Sequence, residues 1–213
     1  FTYGAGDFIT GLTTPYGTTS FAMGESGTDR WIEITDPLGG MERIEYNNWN
    51  GAVPGSEPVA PPGFTNNVYL QYRNTFYWDK RAMALFPRDY TKARIFHWLH
   101  TVDMNQTSGV LESEKLPLEG RVWYSYDGQA RPFDMGTNIQ PTKIARVLDN
   151  GATQLQQYEY NTRGMKIREI DPVARETVYV YGTNNVPDAN PATGAGLDLL
   201  QVKVKNLASP SGW

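Results

Sequence analysis

The sequence predicts an all-β fold made of antiparallel strand–turn–strand repeats that form an extended, curved sheet. The clearest observation is a tyrosine-rich unit written twice, in which Tyr160 and Tyr181 lie 21 residues apart. Internal repeats with spacings of this size are typical of repeat architectures. In addition, short runs of alternating apolar and polar residues favour strands, and 21 glycines and 14 prolines supply frequent turns.

A fixed spacing from proline to tyrosine recurs along the chain. Tyr179 and Tyr181 lie 7 and 9 residues after Pro172. Degraded copies of the unit begin at Pro15 and Pro87. Two other prolines are followed by comparable pairs at the same spacing. Ile44 and Tyr46 follow Pro37, and Tyr124 and Tyr126 follow Pro117. The uneven distances between copies indicate that some repeats carry insertions.

The residues before each pair are typical of a tight turn. Proline presets the backbone φ angle, and a preceding aspartate can accept a hydrogen bond from the backbone two residues further on. Glycine adopts a positive φ at little cost. Tyrosine suits the strand that follows, because its ring packs on the sheet while its hydroxyl reaches water. We assign the structural repeat motif to Asp36, Pro37, Gly39, Tyr46, Pro117, Tyr124, Tyr126, Tyr158, Tyr160, Gly164, Asp171, Pro172, Tyr179 and Tyr181.

Short strands separated by glycine- and proline-containing turns fill the first part of the chain. A Pro/Gly-rich stretch at about residues 50–64 is either a surface insertion between paired strands, which we favour, or a domain boundary. Lys80–Leu85 is compatible with a short helix or a strand, and Pro87 stops it. The predicted strands are Phe8–Leu12, Thr18–Met23, Arg30–Thr35 and Met41–Tyr46, with a polar-aromatic strand region over Val68–Trp78.

The same alternation continues to the last predicted strand. Asp149-Asn150-Gly151 between two strands favours a hairpin turn. A second loop rich in Asn, Pro and Gly spans about residues 182–196, and we expect residues 1–213 to form a single repeat region. The predicted strands here are Ala93–Val102, Val110–Leu116, Arg121–Tyr126, Thr142–Leu148, Thr153–Tyr160, Met165–Ile170, Glu176–Tyr181 and Leu199–Lys205.

The composition excludes several function classes. A net charge of −4 and a pI near 5.2 argue against a nucleic-acid partner, which requires a basic patch. No apolar run is long enough for a membrane-spanning helix. The absence of cysteine excludes disulfides, cysteine–zinc sites and thiol catalysis. The 39% hydrophobic content is sufficient for a core.

The repeat units resemble the Rhs/YD-repeat family, which is named for its Tyr-Asp repeats. Tyr126-Asp127-Gly128 contains a literal Tyr-Asp pair, whereas Tyr46-Asn47 and Tyr160-Asn161 carry an asparagine variant. The segment from Asn74 to Gln129 is also similar to Rhs-type sequence, although less specifically. In that family the repeats form a long β-sheet that winds into a hollow shell, found in bacterial toxin complexes, polymorphic toxins and cell-surface adhesion proteins.

The resemblance implies a non-catalytic structural segment of a secreted or cell-surface bacterial protein. Its β-sheet wall would enclose a cargo polypeptide or take part in cell contact and toxin delivery. The partners expected are further repeats of the same parent chain or other copies of itself, because repeat stacks need neighbours to bury their faces. The chain begins at Phe1 close to a repeat, which favours a piece of a longer polypeptide.

Two alternatives remain open beside the wall. One is a subunit of a self-assembling extracellular fibre or oligomer, because uncovered edge strands template association. The other is a carbohydrate-binding module, in which exposed aromatic rings stack on a glycan. Its candidate residues, which we otherwise expect in the core or between repeats, are Trp31, Trp49, Trp78, Trp98, Trp123 and Tyr77.

We expect no catalytic, cofactor-binding or metal site. His97 and His100 fall on opposite faces of a predicted strand, so joint metal binding is disfavoured. Paired carboxylates can hydrolyse glycosides when suitably separated, but Glu33, Glu112 and Glu114 have the spacing of solvent-facing strand positions. In toxin-type members of the family the repeats end in a core region with an Asp-Pro-x-Gly signature, where paired aspartates can cut off the C-terminal toxin. Asp36-Pro37-Leu38-Gly39 matches it locally, but an ordinary strand follows, so we interpret Asp36 as a turn residue.

Overall fold

The computed structural model describes residues 1–64, 67–103 and 106–205. Within these residues there are fifteen strands and one α-helix, and the strand pairs are antiparallel. The predicted all-β, antiparallel fold is therefore confirmed. Contacts divide the chain into two compact units, Phe1–Ala60 with Thr65–Arg121 and Pro61–Phe64 with Val122–Trp213. We call them the first and second units, and the single repeat region stays a prediction.

In the first unit each strand pairs with the next one along the chain. Such a meander is favoured by alternating strands with short connections, because antiparallel neighbours can be joined by tight hairpins. The strands are β1 (Thr2–Tyr3), β2 (Ile9–Thr14), β3 (Gly17–Ser26), β4 (Asp29–Thr35), β5 (Met41–Trp49), β6 (Tyr72–Trp78), β7 (Arg94–His100) and β8 (Thr107–Lys115).

The second unit follows the same rule as far as its fifth strand, after which the last two strands both pair with that strand. Its strands are β9 (Val122–Ser125), β10 (Lys143–Val147), β11 (Thr153–Tyr160), β12 (Lys166–Ile170), β13 (Glu176–Thr183), β14 (Val186–Pro187) and β15 (Asp198–Val204). The sequence pattern missed β1 and β14, which are only two residues long and carry no alternation. The other predicted strands match observed strands with ends shifted by a few residues.

Alternation along β7 illustrates how sequence sets the two faces of the sheet. Ile95, His97 and Leu99 are buried, whereas the residues between them are partly exposed. Successive side chains of a strand point to opposite faces, so this pattern follows directly from the period of two. The separation of His97 and His100 onto opposite faces stays a prediction, because the pairing of β7 with β8 is irregular between Trp98 and His100. Arg73 Nη1 lies 3.1 Å from His100 Nε2, and Arg73 Nη2 lies 3.4 Å from the Glu112 carboxylate beside His97.

The apolar core of the first unit lies on the face that carries Ile95 and Phe76. Trp78 is fully buried there, and its Nε1 donates a hydrogen bond to the Asp89 carbonyl at 2.9 Å. The ring of Tyr90 packs edge-on against Phe76 and Trp78, with centroids 4.7 and 5.3 Å away. The segment between β6 and β7 therefore folds back over the sheet and closes the core.

The Pro/Gly-rich insertion between β5 and β6 is more than a surface loop. Its base is closed by a hydrogen bond from the Asn50 amide to the Gln71 carbonyl at 2.8 Å. A second bond joins the Leu70 amide to the Gly55 carbonyl at 3.1 Å. Val53 lies in the core beside Phe76, so the loop contributes apolar burial as well as connecting two paired strands.

A short helix, α1 (Lys80–Leu85), follows β6 and confirms the helical interpretation of these residues. Its N-cap is Asp79, whose carboxylate accepts a hydrogen bond from the Ala82 amide at 2.8 Å, as N-cap aspartates commonly do. Met83 is the helix residue buried in the core. Among the described residues, no helix is both long and apolar enough to cross a membrane.

Candidate functional site

The turn at Asp36 is held together by one carboxylate oxygen. Asp36 Oδ1 accepts hydrogen bonds from the amides of Leu38 and Gly40, each at 2.8 Å. The Gly39 amide donates to the Asp36 carbonyl at 3.0 Å, and Gly39 has φ = 84°. A turn followed by one left-handed residue is a common way to build a three-residue hairpin loop. The loop joins β4 to β5 and fixes their register.

The same arrangement occurs at Asp171, between β12 and β13. Asp171 Oδ1 accepts from the amides of Val173 and Arg175 at 3.0 and 2.9 Å. The Ala174 amide donates to the Asp171 carbonyl at 2.9 Å, and Ala174 has φ = 63°. Alanine thus stands in a left-handed position where the first copy has glycine, although a Cβ makes that conformation costly.

A third copy is present at Asn161, between β11 and β12. Asn161 Oδ1 accepts from the amides of Arg163 and Met165 at 3.0 and 2.9 Å. The Gly164 amide donates to the Asn161 carbonyl at 2.9 Å, and Gly164 has φ = 77°. The sequence motif included Gly164 but not Asn161. We call the loops that start at Asp36, Asn161 and Asp171 the Asx loops.

The loop at Pro117 shares the proline spacing but not this geometry. Leu116 stands where the other loops have aspartate or asparagine, so no side-chain oxygen is present at that position. The Glu119 amide donates to the Leu116 carbonyl at 3.3 Å, and the left-handed residue is Leu118 with φ = 68°. The spacing alone therefore did not distinguish two types of loop.

Two of the Asx loops carry an ionised acid whose pKa is lowered. At Asp36 the largest cause is the hydrogen bond from Lys80, 2.6 Å away, followed by the amide of Gly40. At Asp171 the largest cause is the amide of Arg175. Hydrogen bonds to the charged form favour that form, so both loops are held most firmly when the carboxyl group is deprotonated.

One tyrosine from each pair of the second unit packs against the same ion pair. Lys166 Nζ lies 5.5 and 4.9 Å from the ring centroids of Tyr158 and Tyr179, and it donates a hydrogen bond to Glu169. The Tyr179 hydroxyl donates to the same carboxylate at 3.2 Å. Burial alone would lower the pKa of Lys166, but the hydrogen bonds with Glu169 and Tyr179 outweigh it and raise the pKa.

The other motif tyrosines make separate contacts. In the second unit the hydroxyls of Tyr160 and Tyr181 donate to the carbonyls of Pro141 and Lys166 at 3.3 and 3.1 Å. Burial raises the pKa values of Tyr158 and Tyr160.

The remaining motif tyrosines, Tyr46, Tyr124 and Tyr126, differ in burial. The Tyr46 hydroxyl lies 2.7 Å from Thr107 Oγ1 in the first unit. Tyr124 on β9 is half-buried and lies opposite Ile144. Tyr126 is buried, and burial raises its pKa. The motif tyrosines are therefore structural groups with satisfied or packed side chains.

A ladder of charged side chains crosses the buried face of the first unit. Arg43 donates to Glu33 at 2.8 Å and to Glu45 at 2.7 Å. The Tyr90 hydroxyl donates to the other oxygen of Glu45 at 2.7 Å. Burial alone would raise the pKa of Glu45, but the hydrogen bonds from Tyr90 and Arg43 outweigh it and lower the pKa. We call Glu33, Arg43 and Glu45 the charged ladder.

A second buried polar cluster contains His97. Glu112 Oε2 lies 3.2 Å from His97 Nε2 and 3.4 Å from Arg73 Nη2, although the histidine contact is not aligned as a hydrogen bond. His97 Nδ1 lies 3.1 Å from Asn74 Oδ1. The solvent-facing interpretation of Glu112 is wrong, because its side chain is fully buried, and Glu33 and Glu114 are also largely covered, with side chains 13% and 16% exposed. No group of three or more metal-ligating side chains occurs in the described ranges.

The aromatic candidates for sugar stacking separate by burial. Trp78 and Trp123 are fully buried and pack in the interior, which is where most of the aromatic candidates were expected. Trp49 is 57% exposed and is the exception. The half-buried remainder comprises Trp31, Trp98 and Tyr77.

A cleft of about 480 Å³ opens beside Trp49 in the first unit. It is lined by parts of β3, β4 and β5, together with Tyr90 and the residues that follow β5. Its lining is Gly24, Glu25, Ser26, Asp29, Arg30, Trp31, Glu45, Asn47, Trp49, Asn50, Gly51 and Tyr90. The alternation pattern did not bring these residues together, because they come from three strands and two insertions.

Comparisons with known proteins give no family assignment. No protein-family model matches the chain, and no curated protein sequence matches it. The Rhs/YD resemblance therefore rests on the repeat residues alone.

Replacing Ala174 by glycine should stabilise the second unit by roughly 0.5–1 kcal/mol, because glycine relieves the left-handed alanine. The reciprocal variant is Gly39→Ala in the first unit, where a Cβ would meet nothing within 4 Å. It should destabilise by a similar amount, on the order of 1 kcal/mol. Urea unfolding of both variants measures the change. Equal effects of the same sign would contradict the assigned loop geometry.

The Asp171→Asn variant should remove a pH dependence of stability. The folded-state pKa of Asp171 lies below its ordinary value of 3.8, so its contribution is present above that value and is lost as the pH falls through the folded-state pKa. Asparagine keeps the acceptor oxygen, as Asn161 already does. Urea midpoints between neutral pH and about pH 2.5 should therefore fall more steeply for the parent chain than for the variant. Parallel profiles would show that the carboxylate has no such role.

Removing the arginine of the charged ladder should be strongly destabilising. Arg43→Met leaves the covered Glu45 with neutral partners such as the Tyr90 hydroxyl. It leaves Glu33 with the exposed Arg88. Removing one partner of a buried ion pair typically costs about 3–5 kcal/mol. The matched control is Arg168→Met in the second unit, where the guanidinium also bridges two glutamates but is 36% exposed. Exposed pairs contribute only about 0–1 kcal/mol. Chemical denaturation of both variants checks the difference, and equal losses would count against burial as the cause.

Proposed function

We propose that this chain is a non-catalytic structural segment of a secreted or cell-surface Rhs/YD-repeat protein. Its strands form part of a β-sheet wall that encloses a cargo polypeptide or serves cell contact and toxin delivery. The observation that supports the proposal is the recurrence of one hydrogen-bonded loop at Asp36, Asn161 and Asp171. Each copy joins consecutive antiparallel strands, so the same unit can lengthen a sheet by repetition.

The polar groups of the motif support a structural rather than a catalytic role. The carboxylates of Asp36 and Asp171 are occupied by backbone amides and by a neighbouring cation. The hydroxyls of Tyr160 and Tyr181 donate to carbonyls, and that of Tyr179 donates to Glu169. Side chains that are committed to such bonds hold neighbouring strands in register, which is what a wall requires.

A second candidate function is self-assembly, favoured by the edge strand β15. Within the described residues β15 pairs only with β13. Leu199, Val202 and Val204 on this strand are each about half exposed, at 52%, 49% and 51%. An apolar edge strand is a template for pairing with another strand, which other copies or other repeats of a parent chain would supply.

Electron microscopy of the complete gene product that contains this chain tests the wall. The expected particle has a thin β-sheet wall around an interior, with the enclosed polypeptide protected from added protease until the wall is unfolded. A solid particle without an interior would contradict the proposal. Sedimentation of the isolated chain over a wide concentration range separates the second candidate, since reversible growth into large oligomers is expected only for self-assembly.

A further inference from the structure

The cleft beside Trp49 in the first unit has the features of a ligand site. Its volume of about 480 Å³ falls within the range of small-molecule sites, roughly 300–1,000 Å³. It is open to solvent, and its lining mixes aromatic surface with carboxylate, amide and hydroxyl groups. Apolar surface with a few fixed polar groups is typical of small-molecule recognition.

Trp49 supplies the stacking surface. Its indole lies against Gly51, where a Cβ would come within 2.9 Å of the ring. Because Gly51 has no side chain, its backbone can pack directly against one side of the ring. More than half of the Trp49 surface stays exposed. A rigid, supported and exposed ring loses little conformational entropy when a ligand packs on it.

Trp31 forms a wall of the cleft rather than a second stacking surface. Its indole lies over Gly24, where a Cβ would meet the ring at 2.6 Å. The guanidinium of Arg43 lies 4.3 Å from the ring centroid. Trp31 is therefore already in contact with Gly24 and Arg43, and one exposed indole remains to receive a ring from a ligand.

Fixed acceptor groups line the same cleft. The carboxylate of Glu45 is oriented by Tyr90 and Arg43, and Asn47 Oδ1 accepts from Asn50 Nδ2 at 2.8 Å. Glu45 and Asn47 are 7% and 6% exposed, so their positions are set by the sheet. Groups held in this way need little reorganisation when a hydroxyl-rich ligand replaces water.

Charge restricts the class of ligand. Three lining residues are acidic (Glu25, Asp29, Glu45) and one is basic (Arg30), so the lining carries 1 − 3 = −2, and Arg43 behind it offsets the charge of Glu45. Repulsion disfavours phosphates, sulfates and acidic sugars. A quaternary ammonium ligand prefers a cage of several aromatic rings, whereas a neutral sugar needs one ring and several acceptors for its hydroxyl groups.

We propose that this cleft binds a neutral carbohydrate, with one pyranose ring stacked on Trp49 and its hydroxyl groups bonded to the polar lining. The motivating observation is one supported, exposed indole beside buried, oriented acceptors. The site goes beyond the wall function and does not depend on it. All of its lining residues belong to the first unit, so the site is complete without further repeats or an enclosed cargo.

Saturation-transfer difference NMR with the whole chain tests the site. The probes are neutral trisaccharides of glucose, mannose, xylose and N-acetylglucosamine, with sialyllactose and choline as charged comparisons and a neutral-glycan array to widen the search. The Trp49→Ala variant should weaken binding of the best neutral probe by about tenfold or more, whereas Trp49→Phe keeps a ring and loses less. The matched control is Tyr16→Ala, which removes an aromatic side chain 91% exposed on a hairpin away from the lining.

Far-ultraviolet circular dichroism and urea unfolding establish that each variant is folded. Saturable binding of a neutral sugar that is lost in Trp49→Ala and kept in Tyr16→Ala supports the site. No binding to any neutral glycan by the folded parent chain would overturn the proposal. Equal binding by Trp49→Ala, or a preference for sialyllactose or choline, would also overturn it.

Discussion

The Asx loop is the local constraint that sets the pairing of strands at three hairpins, β4–β5, β11–β12 and β12–β13. One side-chain oxygen accepts from two amides while the next-to-last loop residue adopts a left-handed conformation, and this closes a hairpin of fixed length. A fixed loop length sets the register of the two strands. Once register is set, the period of two decides which side chains meet across the sheet, such as Arg43 on β5 opposite Glu33 on β4.

Charged groups on the buried face make that register more specific. A buried ion pair adds little net stability, but an arrangement that separates its partners leaves a charge uncompensated. Arg43 reaches Glu33 directly across from it on β4 and Glu45 on its own strand. A slip of one residue would move these side chains to the opposite face. The second unit uses Lys166 and Glu169 between tyrosine rings, where the groups are only partly covered.

Much of the fold could be predicted from sequence because its determinants are local. The strands and the turns at Asp36 and Asp171 follow from alternation and from the chemistry of aspartate and proline. Ala174 could not be predicted, since the rule for a left-handed residue favours glycine. The burial of Glu33 and Glu112 also escaped prediction, because alternation gives two faces without saying which face an insertion covers. For Glu33, part of the answer is the segment between β6 and β7, because its Arg88 bonds Glu33 and its Tyr90 bonds the neighbouring Glu45.

The same insertions explain why a repetitive sheet can carry a particular site. Repeated loops make similar hairpins wherever they occur, so they cannot by themselves create a distinctive surface. The segment after β5 contributes Asn50 and Gly51 to the cleft, and the segment after β6 contributes Tyr90. Tyr90 bonds Glu45, which ties the cleft to the charged ladder below it. The repeats thus build the rigid sheet, and the insertions supply residues of the cleft, as expected when connecting segments carry function.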